Sequence, residues 1–473
     1  MRPRIVKFFP TRRRRAADRA RPRLAEGTEA DAGAAMLAPI FLEPRPLRFL
    51  EEAQIEAIRE RFGTPVFVYD QRTLEVAADR VVAFPSPCHL VGRFAMKSLP
   101  NAAILRIFDA RGLHIDASSG FEAERALLAG IPPAHIQITA QELPQDLKGL
   151  VQRGVLFNAC SLEQLRHYGL LFPGTDLSIR VNPGAGSGHN NRTNTGGMAS
   201  SFGIWHEKLD EAFALAREFD LRLSGLHTHI GSGGNPEVWK RCAGLILGIA
   251  ERFPDLCRLS LGGGFKVARV EGETDANLEE IGQAVSPLIA DFLTRRSANS
   301  DDFQLEIEPG SYLVVNAGAI LSEIVDIVDT GSDGYSFLKI DSGMTELLRP
   351  AMYGAQHPLY VVAHGSGRDG EASRDCAEIE YVVAGHCCES SDIWTPAPGD
   401  PETLAPRTMA RAAIGDTLVI EGTGAYAAGM SAKNYNSFPE AAEVLIDTTG
   451  EPQLIRRRQT LDQSIQNEVP IPD

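Results

Sequence analysis

The chain has 473 residues, 43% apolar and 23% charged, with a formal net charge of −15. That is enough for two domains with sizeable cores, and no apolar run is long enough to cross a membrane. The acidic balance argues against nucleic acid as the main partner, and seven cysteines without a CxxC pair fit a reducing, cytoplasmic setting better than a disulfide framework.

Charge is concentrated at the start. Residues 1–24 hold ten Lys/Arg against the single acid Asp18, including the run Arg12-Arg13-Arg14-Arg15. No apolar stretch there is long enough for a secretory signal. Residues 1–37 are read as a basic, disordered extension, and ordered structure is expected from Ala38. Between 38 and 310, short apolar runs alternate with helical patterns. The runs are Val91–Ala95, Leu113–Asp116, His135–Thr139, Val155–Asn158, Leu177–Val181, Leu223–His229, Arg258–Leu261 and Phe303–Glu308. Two intervening helices have a legible start, Ser119-Gly-Phe-Glu122 and Ser161-Leu-Glu-Gln164, both fitting a capping box. This alternation predicts a (β/α)8 TIM-type barrel over 38–310. A doubly wound open sheet is the alternative, but no GxGxxG follows the first strand. Over 311–473 the runs Ile320–Val328, Phe337–Ile340, Leu359–Val362, Ile379–Val383, Thr417–Ile420 and Ala442–Ile446 lack helical spacers, which predicts a mostly β C-terminal domain. The first residues of the barrel segment are candidates to pair with this β domain. The Pro-rich stretch Thr395–Pro406 is read as an exposed loop.

Active sites of such barrels lie at the C-terminal ends of the strands. The predicted strands end in Lys97, in Asp116, in His227 and His229 followed by Gly231-Ser232-Gly233-Gly234, in Gly262-Gly263-Gly264, and in Glu308-Pro309-Gly310. Singly, each has an ordinary reading: a solvated lysine, a tight turn, a satisfied core histidine, a turn-capping acid. Together they suggest one ligand. Glycine loops after the last strands suit a phosphate, a lysine can bond an aldehyde, and a carboxylate can keep a pyridine nitrogen protonated. Phosphate, aldehyde and pyridinium describe pyridoxal 5′-phosphate.

With these residues in view, the chain resembles the barrel-fold (fold type III) pyridoxal-phosphate decarboxylases, and within them is most similar to the diaminopimelate decarboxylases. The segments that carry the resemblance run from about Gly63 to Arg458. They include Thr64–Asp70, Phe94-Ala-Met-Lys97, Asp116–Glu122, Arg180-Val-Asn-Pro183, His227–Ser232, Gly262–Phe265 and Glu308-Pro-Gly310. They continue with Asp341–Met344, Arg349–Gly354, Cys388-Glu-Ser-Ser-Asp392, Gly424-Ala-Tyr426 and Asn434–Ser437. The resemblance implies that Lys97 forms a Schiff base with the cofactor, His229 stacks on its ring and Glu308 pairs with the pyridine nitrogen. It implies that Ser232, Gly262, Gly263, Gly264, Gly310 and Tyr426 surround the phosphate, and Asp116 is counted with these cofactor-binding residues. Arg349, Tyr353 and Glu389 would hold the far end of the substrate, and Cys388 would reprotonate the product carbanion. The Cys motif would come from a partner subunit, which implies a head-to-tail homodimer with shared sites. No metal is implied.

The implied reaction is decarboxylation of meso-diaminopimelate to L-lysine, a step of lysine biosynthesis. Four positions depart from the family's pattern: Ser311 stands where Arg follows Glu-Pro-Gly, Ser98-Leu99 where Ala-Asn follows the lysine, Phe438 where Arg follows Tyr-Asn-Ser, and Ser201 where Lys precedes Phe-Gly. Three lost positive charges leave a less anionic substrate, such as D-ornithine, D-lysine or another amino-acid derivative, as the alternative. A racemase or a non-catalytic homologue fits less well, because Lys97 and Cys388 are both present.

Overall fold

A computed structural model describes residues 47–184, 197–229, 233–364 and 378–471. The basic extension over 1–37 and the expected start at Ala38 lie outside the described residues. The first strand, β1 (Val66–Asp70), belongs to a sheet built mainly from the C-terminal third. The chain then enters the barrel through β2 (His89–Ala95), β3 (His114–Ala117), β4 (Ile136–Ile138), β5 (Leu156–Ala159) and β6 (Asp176–Asn182). After the two-residue β7 (Ile204–Trp205) come β8 (Arg222–His227), β9 (Arg258–Ser260) and β10 (Gln304–Ile307).

Eight of these strands are parallel and close on themselves in the order β2-β3-β4-β5-β6-β8-β9-β10, β10 pairing back to β2. Each matches one of the runs read from the sequence. The strands alternate: in β10, Leu305 and Ile307 join the apolar core while Glu306 between them pairs with Arg93 of β2 and Arg258 of β9. The outer helices bury one stripe each. In Ala102–Ala110 the stripe is Ile104, Leu105 and Phe108, and Asn101 caps the start by accepting from the Ala103 N–H. Both expected Ser caps form, with Ser119 and Ser161 accepting from the N–H groups of Glu122 and Gln164. The return bonds go one residue further back than a standard box: Glu122 accepts from Ser118 N–H and Gln164 from Cys160 N–H.

The second sheet contains β11 (Gly318–Asp329), β12 (Ser336–Ile340), β13 (Leu359–Val362), β14 (Glu378–Ala384), β17 (Arg407–Ala410), β18 (Thr417–Glu421), β19 (Ala442–Ile446) and β20 (Pro452–Arg456). The pair β15 (Pro396–Ala397) and β16 (Asp400–Leu404) forms a separate hairpin inside the stretch expected to be loop. β1 is central, antiparallel to β11 and parallel to β19. Its alternation explains why all five residues are buried. Val66 and Val68 pack with Ile55 and Ile58 of the helix Glu52–Phe62, while Phe67 and Tyr69 join the large core shared with the barrel. Among the described residues no helix is long and apolar enough to cross a membrane.

Candidate active site

The C-terminal ends of the barrel strands form one rim. β10 runs out into Glu308, which is buried. The Ser260 hydroxyl, at the end of β9, donates to Glu308 Oε1 at 2.8 Å, and Glu308 Oε2 lies 2.7 Å from His227 Nε2. Desolvation opposes a charge here, but the His227 side chain and the Ser260 hydroxyl outweigh it and hold the carboxyl at about 2. Glu308 is therefore a fixed negative charge at neutral pH. Asp116, at the end of β3, moves the other way: desolvation first, then the Glu308 charge, push its carboxyl well above the usual range. Its Oδ1 has no hydrogen-bond partner among the described residues.

The glycine loop after β9 is clamped between two strand ends. Glu308 N–H donates to Gly262 O at 2.9 Å, and Gly262 N–H donates to Ser260 Oγ at 3.1 Å. Gly262 has φ +71, and a Cβ there would lie 2.4 Å from Thr228 O. A Cβ on Gly263 would lie 2.1 Å from Glu308 O. Only glycine lets this backbone come so close to its neighbours. Gly310 is looser, its hypothetical Cβ falling 3.4 Å from Ala95 Cβ.

Lys97 lies in the tight turn Met96–Ser98 that follows β2, and its charge acts on Asp116, Glu122 and His229. His229 is held well below 6.5 by desolvation and then by the Arg180 and Lys97 charges, so its ring is neutral. Arg180 itself is buried, its guanidinium carbon 3.6 Å above the Phe202 ring. A turn from the β domain crosses the same rim. Tyr426, in the left-handed region at φ 54, donates its N–H to Ser98 O at 2.8 Å. The Arg349 guanidinium carbon sits 5.8 Å from the Tyr426 ring and 5.6 Å from the Tyr353 ring.

The rim thus brings together Lys97, Asp116, His229, Glu308, Gly262–Gly264, Gly310 and Tyr426, with Arg349 and Tyr353 beside Tyr426. Ser232 lies outside the described residues. Cys388 and Glu389 are elsewhere: both are exposed on a turn after β14, where Cys388 N–H donates to Asn436 Oδ1 at 2.9 Å. Among the described residues no hydrogen bond or ion pair ties them to the rim. Asp392 shapes that turn by accepting from the N–H groups of Cys387 and Met344. The Cys387 side chain is buried, and desolvation with the Asp392 charge pushes its thiol up to about 12. Sequence reading gave no role to Ser260 or Arg180. Ser260's signal was its place before the glycine run, where alternation within β9 turns it inward with Arg258.

The chain's residues 79–315 match the model of the pyridoxal-dependent decarboxylase, pyridoxal binding domain. The chain is 37% identical over 429 residues to a diaminopimelate decarboxylase of Streptomyces coelicolor, covering 88% of this chain and 92% of that protein. The chain belongs to the pyridoxal-dependent decarboxylases. A diaminopimelate decarboxylase of Escherichia coli is 36% identical over 411 residues, covering 85% of this chain and 93% of that one. A crystal structure of diaminopimelate decarboxylase superposes with a TM-score of 0.80 at 35% identity, covering 88% of this chain and 96% of that one.

The decarboxylase is a carboxy-lyase whose cofactor is pyridoxal phosphate, and the rim suits that group. A Cβ at Gly262 or Gly263 would strike Thr228 O or Glu308 O, so the loop lies close against the strand ends; with the Gly262 N–H held by Ser260 Oγ, the amides of Gly263 and Gly264 are the ones that would meet a phosphate. Glu308 is already ionised, as a partner for a protonated pyridine nitrogen must be. Lys97 would supply the amine for the aldehyde.

Proposed function

We propose that the chain removes carbon dioxide from the D-centre of meso-diaminopimelate to give L-lysine, acting as a head-to-tail homodimer in the cytoplasm. The identity to diaminopimelate decarboxylases over most of both chains carries this reading. Arg349 beside Tyr353 and Tyr426 supports it, as a cation placed to meet a carboxylate.

In this proposal Lys97 is the residue that would hold the cofactor through its side-chain amine. Bound pyridoxal phosphate supplies the sink for the electron pair left by carbon dioxide. Glu308, kept ionised by His227 and Ser260, favours the protonated pyridine nitrogen. His229, held neutral by desolvation and by the Arg180 and Lys97 charges, would pack on the ring without adding a competing charge. Gly262–Gly264, Gly310, Ser232 and Tyr426 take the phosphate, and Asp116 lines the pocket near Lys97. Arg349 and Tyr353, with Glu389 from the partner subunit's copy of the turn, hold the substrate's far end. Cys388 of the same turn delivers a proton to the α-carbon. Its exposure supports a role across an interface.

A carbon dioxide release assay over meso-diaminopimelate, D- and L-lysine, D- and L-ornithine and arginine tests the reading. Turnover of a D-centred substrate is expected, with meso-diaminopimelate preferred. Turnover of L-substrates alone would sink it. Preference for D-lysine or D-ornithine would favour the alternative that Ser311 raises, a site with less charge for a distal carboxylate.

A further inference from the structure

Ser311 opens the short helix Ser311–Val314 directly after Gly310, where the family places an arginine. A second guanidinium, that of Arg269, feels the charge of Arg349. Arg269 lies on the loop that leaves the glycine cradle, a few residues past Gly264. That loop is pinned to the chain following Ser311: Asn316 Nδ2 donates to Ala268 O at 3.1 Å. It is pinned from outside by Arg48, whose Nη2 donates to Arg269 O at 2.6 Å. The Arg269 side chain packs against the turn that carries Tyr426, its Cγ lying 3.5 Å from where a Cβ on Gly422 would be.

No side-chain hydrogen bond or ion pair among the described residues answers the charge at this point. Arg269 Nε is shut off from solvent and has no hydrogen-bond partner among the described residues, and the same holds for Arg349 Nε. No ion pair to Arg269 is present among the described residues. Glu273, the acid that acts on it most, spends a carboxylate oxygen on the backbone N–H groups of Arg269 and Val270. Desolvation, then the Arg349 charge, push the Arg269 guanidinium down to about 10. His357 is buried between the influences of both arginines and is held at about 3 by desolvation and by Arg269, so it adds no charge. Two like charges with unpartnered nitrogens in a partly dry pocket are costly unless an anion joins them.

We propose that Arg269 is a specificity-determining residue, the second guanidinium that grips the substrate's distal carboxylate together with Arg349, so that the charge absent at Ser311 is supplied from a different loop. This rests on the diaminopimelate reading and removes the objection raised against it by Ser311. It also distinguishes the site from one for D-lysine or D-ornithine, where no distal carboxylate would offset the pair.

The test uses L-lysine, which keeps the distal carboxylate, and cadaverine, which lacks it. Dissociation constants for both are measured by calorimetry on the holoenzyme for wild type, Arg269→Met, Arg269→Lys and the double variant Arg269→Met/Ser311→Arg. Loss of one charge-assisted contact is expected to weaken L-lysine by about tenfold or more in Arg269→Met and to change cadaverine by less than about twofold. Arg269→Lys should lose less, and the double variant should regain most of the affinity. Equal weakening of both ligands, or none, in variants that retain wild-type circular dichroism and cofactor absorbance would overturn the role of Arg269. If Arg269→Met does not fold, Arg269→Lys alone decides: L-lysine affinity unchanged relative to cadaverine overturns it. Failure of wild type to release carbon dioxide from meso-diaminopimelate would instead strike the substrate reading beneath it.

Discussion

A methyl group at Gly263 should disable the cofactor cradle, and one at Gly310 should not. Gly263 does not adopt a positive φ, so no left-handed strain opposes alanine there. Its Cβ, however, would meet Glu308 O at 2.1 Å. An ordinary carbon–oxygen contact is roughly 3.3 Å, so loop or strand end must yield by about 1 Å. Glu308 is anchored by the Ser260 and His227 contacts and by its own N–H to Gly262 O, which leaves the loop to move. A displacement of about 1 Å in a positioning element costs on the order of a hundredfold. Apo-enzyme titrated with pyridoxal phosphate, followed by visible absorbance, should show Gly263→Ala binding about a hundredfold more weakly than wild type. Gly310→Ala, whose Cβ would sit 3.4 Å from Ala95 Cβ, should bind within about threefold of wild type. Wild-type affinity in Gly263→Ala, or a larger loss in Gly310→Ala, would refute the steric account of this loop.

Lys97→Ala should abolish both the visible band of the bound cofactor and carbon dioxide release, measured by spectroscopy and product assay. Glu308→Gln should lower kcat by about tenfold to a hundredfold while the protein stays folded, since it removes a charge-assisted contact and keeps the side-chain shape. If sites are shared across a dimer, mixing inactive Lys97→Ala and Cys388→Ala chains should restore about a quarter of wild-type activity after subunit exchange. Glu346 is buried beside Thr345 and His386, and desolvation raises its carboxyl to about 7 from an unperturbed 4.5. The unfolded chain releases that proton near 4.5 and the fold near 7, so this group lowers stability as pH rises between those values, by about 3 kcal/mol in all. Thermal melts of Glu346→Gln should show a flatter pH dependence across that window than wild type.

The barrel was legible because its strands are short, buried on both faces and separated by capped helices. Edge strands were not: β20 (Pro-Gln-Leu-Ile-Arg) carries exposed residues and needs no apolar pattern, since only β19 pairs with it. The hairpin within Thr395–Pro406 was hidden for the same reason, its β16 being largely exposed. At the site, residue type and position at strand ends pointed to Lys97, Glu308 and the glycines. What the sequence could not convey was which neighbour sets each charge. Ser260 and His227 hold Glu308 ionised while Glu308 in turn raises Asp116, and that split depends on side chains from four strands meeting in space. Arg269 escaped for a related reason. It lies in a polar stretch, Arg-Val-Glu-Gly-Glu-Thr, that reads as solvated loop, and only the fold sets it against the Tyr426 turn.

The central place of β1 in the second sheet bears on how the chain is made. Val66 pairs with Leu321 on one side and Ala442 on the other, so the earliest strand acquires its last neighbour 376 residues later. At roughly 5–20 residues per second, the nascent chain waits on the order of 20 to 75 seconds between the two. Within that interval the whole barrel emerges with an apolar strand tethered at its head, unpaired until β11 follows 255 residues after it. The ribosome thus delivers the barrel before the rest of the sheet to which β1 belongs. The first strand is most open to wrong pairing while the barrel around Lys97 is already complete.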